Sequence, residues 1–366
     1  MKVLAISDVT LGYGTPQLPL LTLSLVAYYG ADGYVIEPAQ PEVTARHSLF
    51  PALRFDRVTT VWHPHSDQGR QEYLWRAARH VNQLRPEVLV ICCTYCLPVL
   101  FRLDYRPRKV IYYSVESIPF YGPFDMEMNG QAGPLIDIVI FPEENRAAAE
   151  IGRFGFHGAS PDREPAKLVL YNTTNFRNTE PPLPRPSRNG RLLYAGTISE
   201  QTFASYYTKP ETQKYPIDMF GPVKLGPDSA RQEFLASLGG AVRYRGFIDA
   251  HELARIRRNY LYSLVAWNPV NENQLYAAPN KFFDSIADGI PPITAPHPQC
   301  KVILERYGCG ILMDDWSYTA FAAALGKAMR LHATPAWIEM VEGCRRAVAQ
   351  ELHWEAQFAR LRPHLS

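Results

Sequence analysis

The chain has 366 residues, enough for about two domains, and its 46% hydrophobic content can fill two cores. A formal net charge of +2 excludes wholesale nucleic-acid binding, which needs a broadly basic face, although Arg102, Arg106, Arg108 and Lys109 form a local basic patch. No stretch approaches the ~20 apolar residues of a membrane helix, and the opening MKVLAISDVT reaches Asp8 before a signal-peptide core could form, so a cytoplasmic location is expected.

In chain order, Met1 to Ser7 reads as a strand and Leu18 to Tyr29 as a helix. Strands follow at Gly33 to Ile36 and Val58 to Trp62, then a helix over Glu72 to Leu84. PEVLVICC, RKVIYYSV and IDIVIF are nearly all-apolar runs, the signature of parallel strands covered on both faces. A helix over Glu144 to Ile151 and the strand KLVLYN, Lys167 to Asn172, close the first half. Pro181, Pro182, Pro184 and Pro186 then mark a linker over 176–190. Beyond it the alternation restarts, with strands in RLLYAG, IDMFG, VRYRGF, YSLVAW and PPITA and helices over Asp249 to Asn259, Lys281 to Ala287 and Tyr318 to Leu331. The expectation is an α/β protein of two Rossmann-like domains, 1–175 and 191–345, with parallel sheets facing across a cleft. A last helix, Gln350 to Leu361 within 346–366, is expected to pack back on the first domain.

The six cysteines are scattered apart from Cys92, Cys93 and Cys96, which fits a reducing compartment rather than a disulfide framework. Cys93 and Cys96 spell C-x-x-C at the end of a buried-looking strand rather than at a helix start, so they read as small buried side chains. His63 and His65 lack a third ligand nearby, and no metal site is expected. Glu143 and Glu144 follow a strand end, and Trp62, Trp75 and Tyr112 read as core.

Open parallel sheets bind ligands at the carboxyl ends of their strands. In APNKFFDSIADGIPPITA, Ala278 to Ala295, Pro279 and Asn280 open a helix whose free backbone N–H groups favour phosphate. Lys281 adds positive charge there, and Asp284, one turn on, can accept hydrogen bonds from ribose hydroxyls. This segment, with Gly289 and Pro291 before a strand, resembles the donor-binding motif of retaining GT-B glycosyltransferases, in the family-four group of bacterial envelope enzymes. YAGTIS with Gly196 and Thr197, DMFGP, and RYRGFIDAHELARI with Gly246, Phe247 and Ile248 resemble that family's diphosphate loop, next strand and base-holding turn. The resemblance spans about Arg191 to Leu331.

The resemblance implies metal-independent transfer of a sugar from a nucleoside diphosphate sugar to an acceptor hydroxyl, with retained configuration and no separate cofactor. The partners implied are a nucleotide-sugar and a glycan or lipid-linked acceptor, with peripheral membrane contact through the Arg102 to Lys109 patch. Lys281 and Glu116 are the catalytic candidates. Gly196, Thr197, Gly246, Phe247, Ile248, Asn280, Asp284 and His297 are the donor-side candidates, and Gly12, Tyr13 and Gly14 the acceptor-side ones. Three departures from the family pattern stand out. Tyr276 replaces the first of two glutamates, Lys209 and Lys214 are the candidates to replace the arginine and lysine that usually follow the first loop of the second domain and neutralise the diphosphate, and Ser114, Glu116 and Ser117 stand where a histidine is usual. Alternative readings are an epimerase or phosphorylase of the same fold, or a non-catalytic binding protein.

Overall fold

The structure is a computed structural model that describes residues 1–11, 16–45, 47–116, 123–174 and 188–366. It divides into two compact units: unit 1 comprises 1–174 and 357–366, and unit 2 comprises 175–356.

Unit 1 holds seven parallel strands: β1 (Lys2–Ile6), β2 (Asp32–Pro38), β3 (Leu53–Val58), β4 (Val88–Cys92), β5 (Lys109–Tyr113), β6 (Ile138–Phe141) and β7 (Ala166–Val169). Their order is β3-β2-β1-β4-β5-β6-β7. The direction of winding reverses between β1 and β4, where Ile6 pairs with Ile91. β4 and β6 are buried along their whole length, as their apolar sequences require of strands covered on both faces. The helix Asp67–Leu84 lays Tyr73, Leu74, Ala77 and Val81 on this sheet and is capped by Ser66, whose hydroxyl accepts from the Gly69 N–H at 3.1 Å.

Unit 2 holds six parallel strands: β8 (Leu192–Ala195), β9 (Ile217–Phe220), β10 (Val242–Tyr244), β11 (Tyr262–Val265), β12 (Pro292–Thr294) and β13 (Ile311–Leu312). Their order is β10-β9-β8-β11-β12-β13, so the reversal falls between β8 and β11. Phe321, Leu325 and Ala328 of the helix Tyr318–Leu331 and Trp337 of the helix Pro335–Gln350 fill its core.

The two parallel sheets expected from the alternating pattern are present. Several elements differ. The third strand is Leu53–Val58, and Val61 and Trp62 beyond it are exposed, at 81% and 59%. As the edge of its sheet it is covered on one side only, so LRFDRV lacks an apolar run. The last helical stretch is two helices, Pro335–Gln350 and Trp354–Leu361. Gln357 crosses to unit 1's own sheet, its side-chain oxygen accepting from the Tyr171 N–H at 2.9 Å. C-x-x-C is a helix start after all: Cys92 ends β4, and Cys93–Cys96 form a short helical turn. Most of the expected linker, 176–187, lies outside the described residues, as do Gly12, Tyr13, Gly14 and Ser117. All six cysteines are buried, and among the described residues none forms a disulfide. Among the described residues no helix is long and apolar enough to cross a membrane.

Candidate functional site

The reversal in unit 2 defines its binding edge, because helices leave adjacent strands in opposite directions there and open a crevice. Gly196 follows β8 and Trp267 follows β11, so both stand at this edge. Three glycines interlock along it. The Gly196 N–H donates to the Phe220 carbonyl at 3.0 Å, and the Gly221 N–H donates to the Gly246 carbonyl at 2.9 Å. Gly221 has φ +129°, and a Cβ there would stand 2.0 Å from the Gly196 oxygen. Only glycine fits that approach.

The helix Asn280–Ala287 brings Lys281 to the same point. Pro279 is the residue before the helix, and no side chain caps it. Asn280 is already the first helical residue, so Pro279 occupies the cap position. The first turn carries the positive end of the helix dipole. The Lys281 ammonium sits 3.3 Å from where a Gly196 Cβ would stand. It lies 5.0 Å from the Tyr194 ring centre and 5.6 Å from that of Trp267. No carboxylate pairs with it among the described residues, and burial lowers its pKa from 10.5 to about 8.

Asp284 shares a helix face with Lys281, three residues on. One of its oxygens accepts from Arg257 Nη1 at 3.1 Å, and Arg257 Nε donates to Asp288 at 2.5 Å. Burial pushes the Asp284 carboxyl up, and Arg257 pulls it back. His297 is fully buried, stacked on Trp267 at 3.9 Å between ring centres. Its ring nitrogens face the Leu275 and Trp267 carbonyls at 3.3 and 3.2 Å. Burial lowers its pKa to about 4, so at neutral pH the ring is uncharged. Gly246 adopts φ +85° after β10; beside it Phe247 is 65% exposed, while Ile248 packs on Leu193, Phe220 and Tyr260. Thr197 is exposed, its carbonyl accepting from the Tyr194 and Thr202 hydroxyls.

Lys209 and Lys214 lie elsewhere. Their loop precedes β9, and Gln213 beside Lys214 accepts from Ala241 at the amino end of β10. Both are therefore at the edge opposite the binding edge. Tyr276 follows the short helix Glu272–Leu275, and Glu272 is exposed. Trp267 and Tyr194, the aromatic walls around Lys281, went unread in the sequence. The signal was available: each sits at or beside a strand's carboxyl end at the reversal.

In unit 1, Glu116 follows β5 at the carboxyl edge and is partly buried. The loop carrying it is held by Arg146, which donates to the Ser114 and Val115 carbonyls at 2.9 and 2.8 Å and pairs with Glu150 at 3.0 Å. Glu143 caps the helix Glu144–Phe154, accepting from the Arg146 N–H at 2.5 Å, and Glu144 accepts from the Tyr171 hydroxyl. These two acids are structural. The basic patch is largely engaged: Arg106 pairs with Asp137 at 3.1 Å, Arg102 donates to the Pro98 carbonyl, and Lys109 to that of Ser366.

No protein-family model matches the chain, and no curated protein matches it in sequence. Solved structures do match. Sucrose-phosphate synthase from Thermosynechococcus elongatus is 14% identical, with 99% of this chain and 98% of that one covered and a TM-score of 0.72. Anabaena Alr3699/HepE, solved in complex with UDP and glucose, is 14% identical over 100% and 99%, with a TM-score of 0.72. WaaG, a glycosyltransferase involved in lipopolysaccharide biosynthesis, is 13% identical over 100% of both chains, with a TM-score of 0.67. What the chain shares with these proteins is the fold: it is an α/β protein of two Rossmann-like units with the GT-B architecture.

Proposed function

We propose that the protein is a glycosyltransferase that moves a sugar from a nucleoside diphosphate sugar to an acceptor hydroxyl, in glycan or glycoconjugate synthesis. The observation that carries this is Lys281: an ammonium without a carboxylate partner among the described residues, at an uncapped helix start, under a glycine edge, at the reversal of unit 2's sheet. A diphosphate supplies the charge that this position lacks. As the sugar leaves, negative charge grows on the diphosphate, and a preformed cation with helix N–H groups stabilises that change selectively. No hard divalent cation is needed for this step.

Asp284 takes the ribose hydroxyls on its outer oxygen while Arg257 holds the inner one. Gly246, exposed Phe247 and Ile248 form the base side, and Thr197 and Asn280 flank the phosphates. His297 acts as a positioning residue, setting the Trp267 ring beside Lys281. Glu116 serves the acceptor side, with the acceptor a glycan or a lipid-linked one. A thermal-shift screen with UDP-, GDP-, dTDP- and ADP-sugars, followed by a transfer assay on the donor that binds, tests the reading. Stabilisation by none of them removes it, and binding without transfer or hydrolysis would make the chain a binding protein instead.

A further inference from the structure

We propose that Asp8, Cys92 and Cys93 form a binding site for a thiophilic divalent cation of the zinc class, at the switch point of unit 1.

The topology brings the three together. β1 and β4 are neighbours at the reversal of the seven-stranded sheet, with Ile6 opposite Ile91. Asp8, two residues past the end of β1, and Cys92 and Cys93, at and just past the end of β4, stand at the same carboxyl edge. One ligand atom from each lies within 4.8 Å of the other two. Adjacent residues of an extended strand point to opposite faces. Cys93 escapes that rule because it adopts φ +61°, a left-handed conformation that side chains other than glycine take at a cost in backbone energy. The turn swings its sulfur back beside that of Cys92, at 3.7 Å. A tetrahedral ion with metal–sulfur bonds of ~2.3 Å holds two thiolates ~3.8 Å apart. The Cys92 sulfur stands 3.9 Å from the Asp8 carboxylate oxygen, on the same scale.

The chemistry agrees with the spacing. Two thiolates with one carboxylate suit zinc and exclude magnesium and calcium, which take oxygen ligands. A bound cation draws its ligands into the deprotonated form. His65 hydrogen-bonds the Asp8 carbonyl at 3.3 Å and so holds the backbone that carries the carboxylate. Three protein ligands leave a fourth position for water or for a group of an acceptor, the pattern of open zinc sites. A disulfide is the other fate of paired thiols, but 3.7 Å is well beyond an S–S bond of ~2.05 Å.

The test uses the full chain, reduced and treated with chelator, titrated first with Co²⁺ and then with Zn²⁺. We expect one equivalent of Co²⁺ to bind with a thiolate-to-cobalt charge-transfer band, and one equivalent of Zn²⁺ to displace it. Cys93→Gly keeps the left-handed backbone and removes the sulfur, so that band should weaken and zinc affinity should drop by more than roughly 100-fold, beyond what losing an outer partner costs. Asp8→Asn should weaken zinc binding without removing the band. Cys96→Ala should leave both unchanged. The proposal is overturned if the folded wild-type protein takes up no stoichiometric cobalt. It is equally overturned if the band survives intact in Cys93→Gly, or vanishes in Cys96→Ala. The wild-type titration decides the matter even if a variant fails to fold.

Discussion

Lys281→Met removes the ammonium and keeps most of the side chain's length, and proton counting reveals what the ammonium does. In the free protein burial lowers the Lys281 pKa from 10.5 to about 8, which disfavours the charged form by on the order of 3 kcal/mol. A diphosphate bound against it returns the pKa towards its ordinary value. From those two values, binding should take up about 0.1 proton at pH 7 and about 0.9 at pH 9. Calorimetry of UDP binding in buffers of different ionisation enthalpy measures that uptake directly. Lys281→Met should abolish it and weaken UDP binding about tenfold to a hundredfold, since a charged hydrogen bond contributes roughly 1.5 to 3 kcal/mol. The same shift acts on folding. The folded pKa lies below the unfolded one, so the penalty is fully present below about pH 8 and is relieved as pH rises towards 10.5. The wild-type protein should therefore gain stability relative to Lys281→Met as pH rises across that window. Proton uptake that stays flat from pH 7 to 9, or persists in the methionine variant, refutes the placement of the diphosphate.

Other expectations are as direct. Asp284→Ala should cost about tenfold or more in donor affinity and Asp284→Asn less, while Arg257 keeps Asp288 as a partner in both; unchanged affinity in a folded alanine variant refutes the ribose role. Adding Mg²⁺ or Mn²⁺ to chelator-treated protein should leave the transfer rate unchanged, and activity restored only by those ions would contradict phosphate binding by lysine and backbone. Gly221→Ala should lower unfolding stability by more than about 2 kcal/mol, because its Cβ meets the Gly196 oxygen at 2.0 Å on a left-handed backbone. A urea midpoint equal to wild type would show that the glycine edge relaxes. Ser66→Ala should lose about 1 kcal/mol by the same measurement, through the cap of the helix Asp67–Leu84.

The sequence was most legible where one physical signal dominated. β4 and β6 announced themselves because central strands carry no polar residue, and the helix Tyr318–Leu331 because Ser317 caps it ahead of an apolar stripe. β3 was misplaced because its sequence, LRFDRV, carries no apolar run. The helix Asp228–Ser237 went unread because it buries only Phe234. At the candidate site, Gly196, Lys281 and Asp284 were nameable because their segments resemble a family's donor-binding motif. Trp267 beside Lys281, and Arg257 on Asp284, exist only through tertiary packing between segments far apart in sequence. The left-handed turn at Cys93 was hidden for a different reason: nothing in a C-C pair specifies a positive φ.

Unit 1 takes its last hydrogen bonds from residues made at the other end of the chain: Gln357 to Tyr171, the Leu365 carbonyl to Tyr29 and that of Ser366 to Lys109. During synthesis on a ribosome, unit 2 is complete before unit 1 has all its parts. The half that is translated first therefore waits, with the edge beside β7 uncovered, until residues 357–366 leave the exit tunnel. Emergence of residues 357–366, rather than of the first 174 residues, becomes the event that completes the first unit.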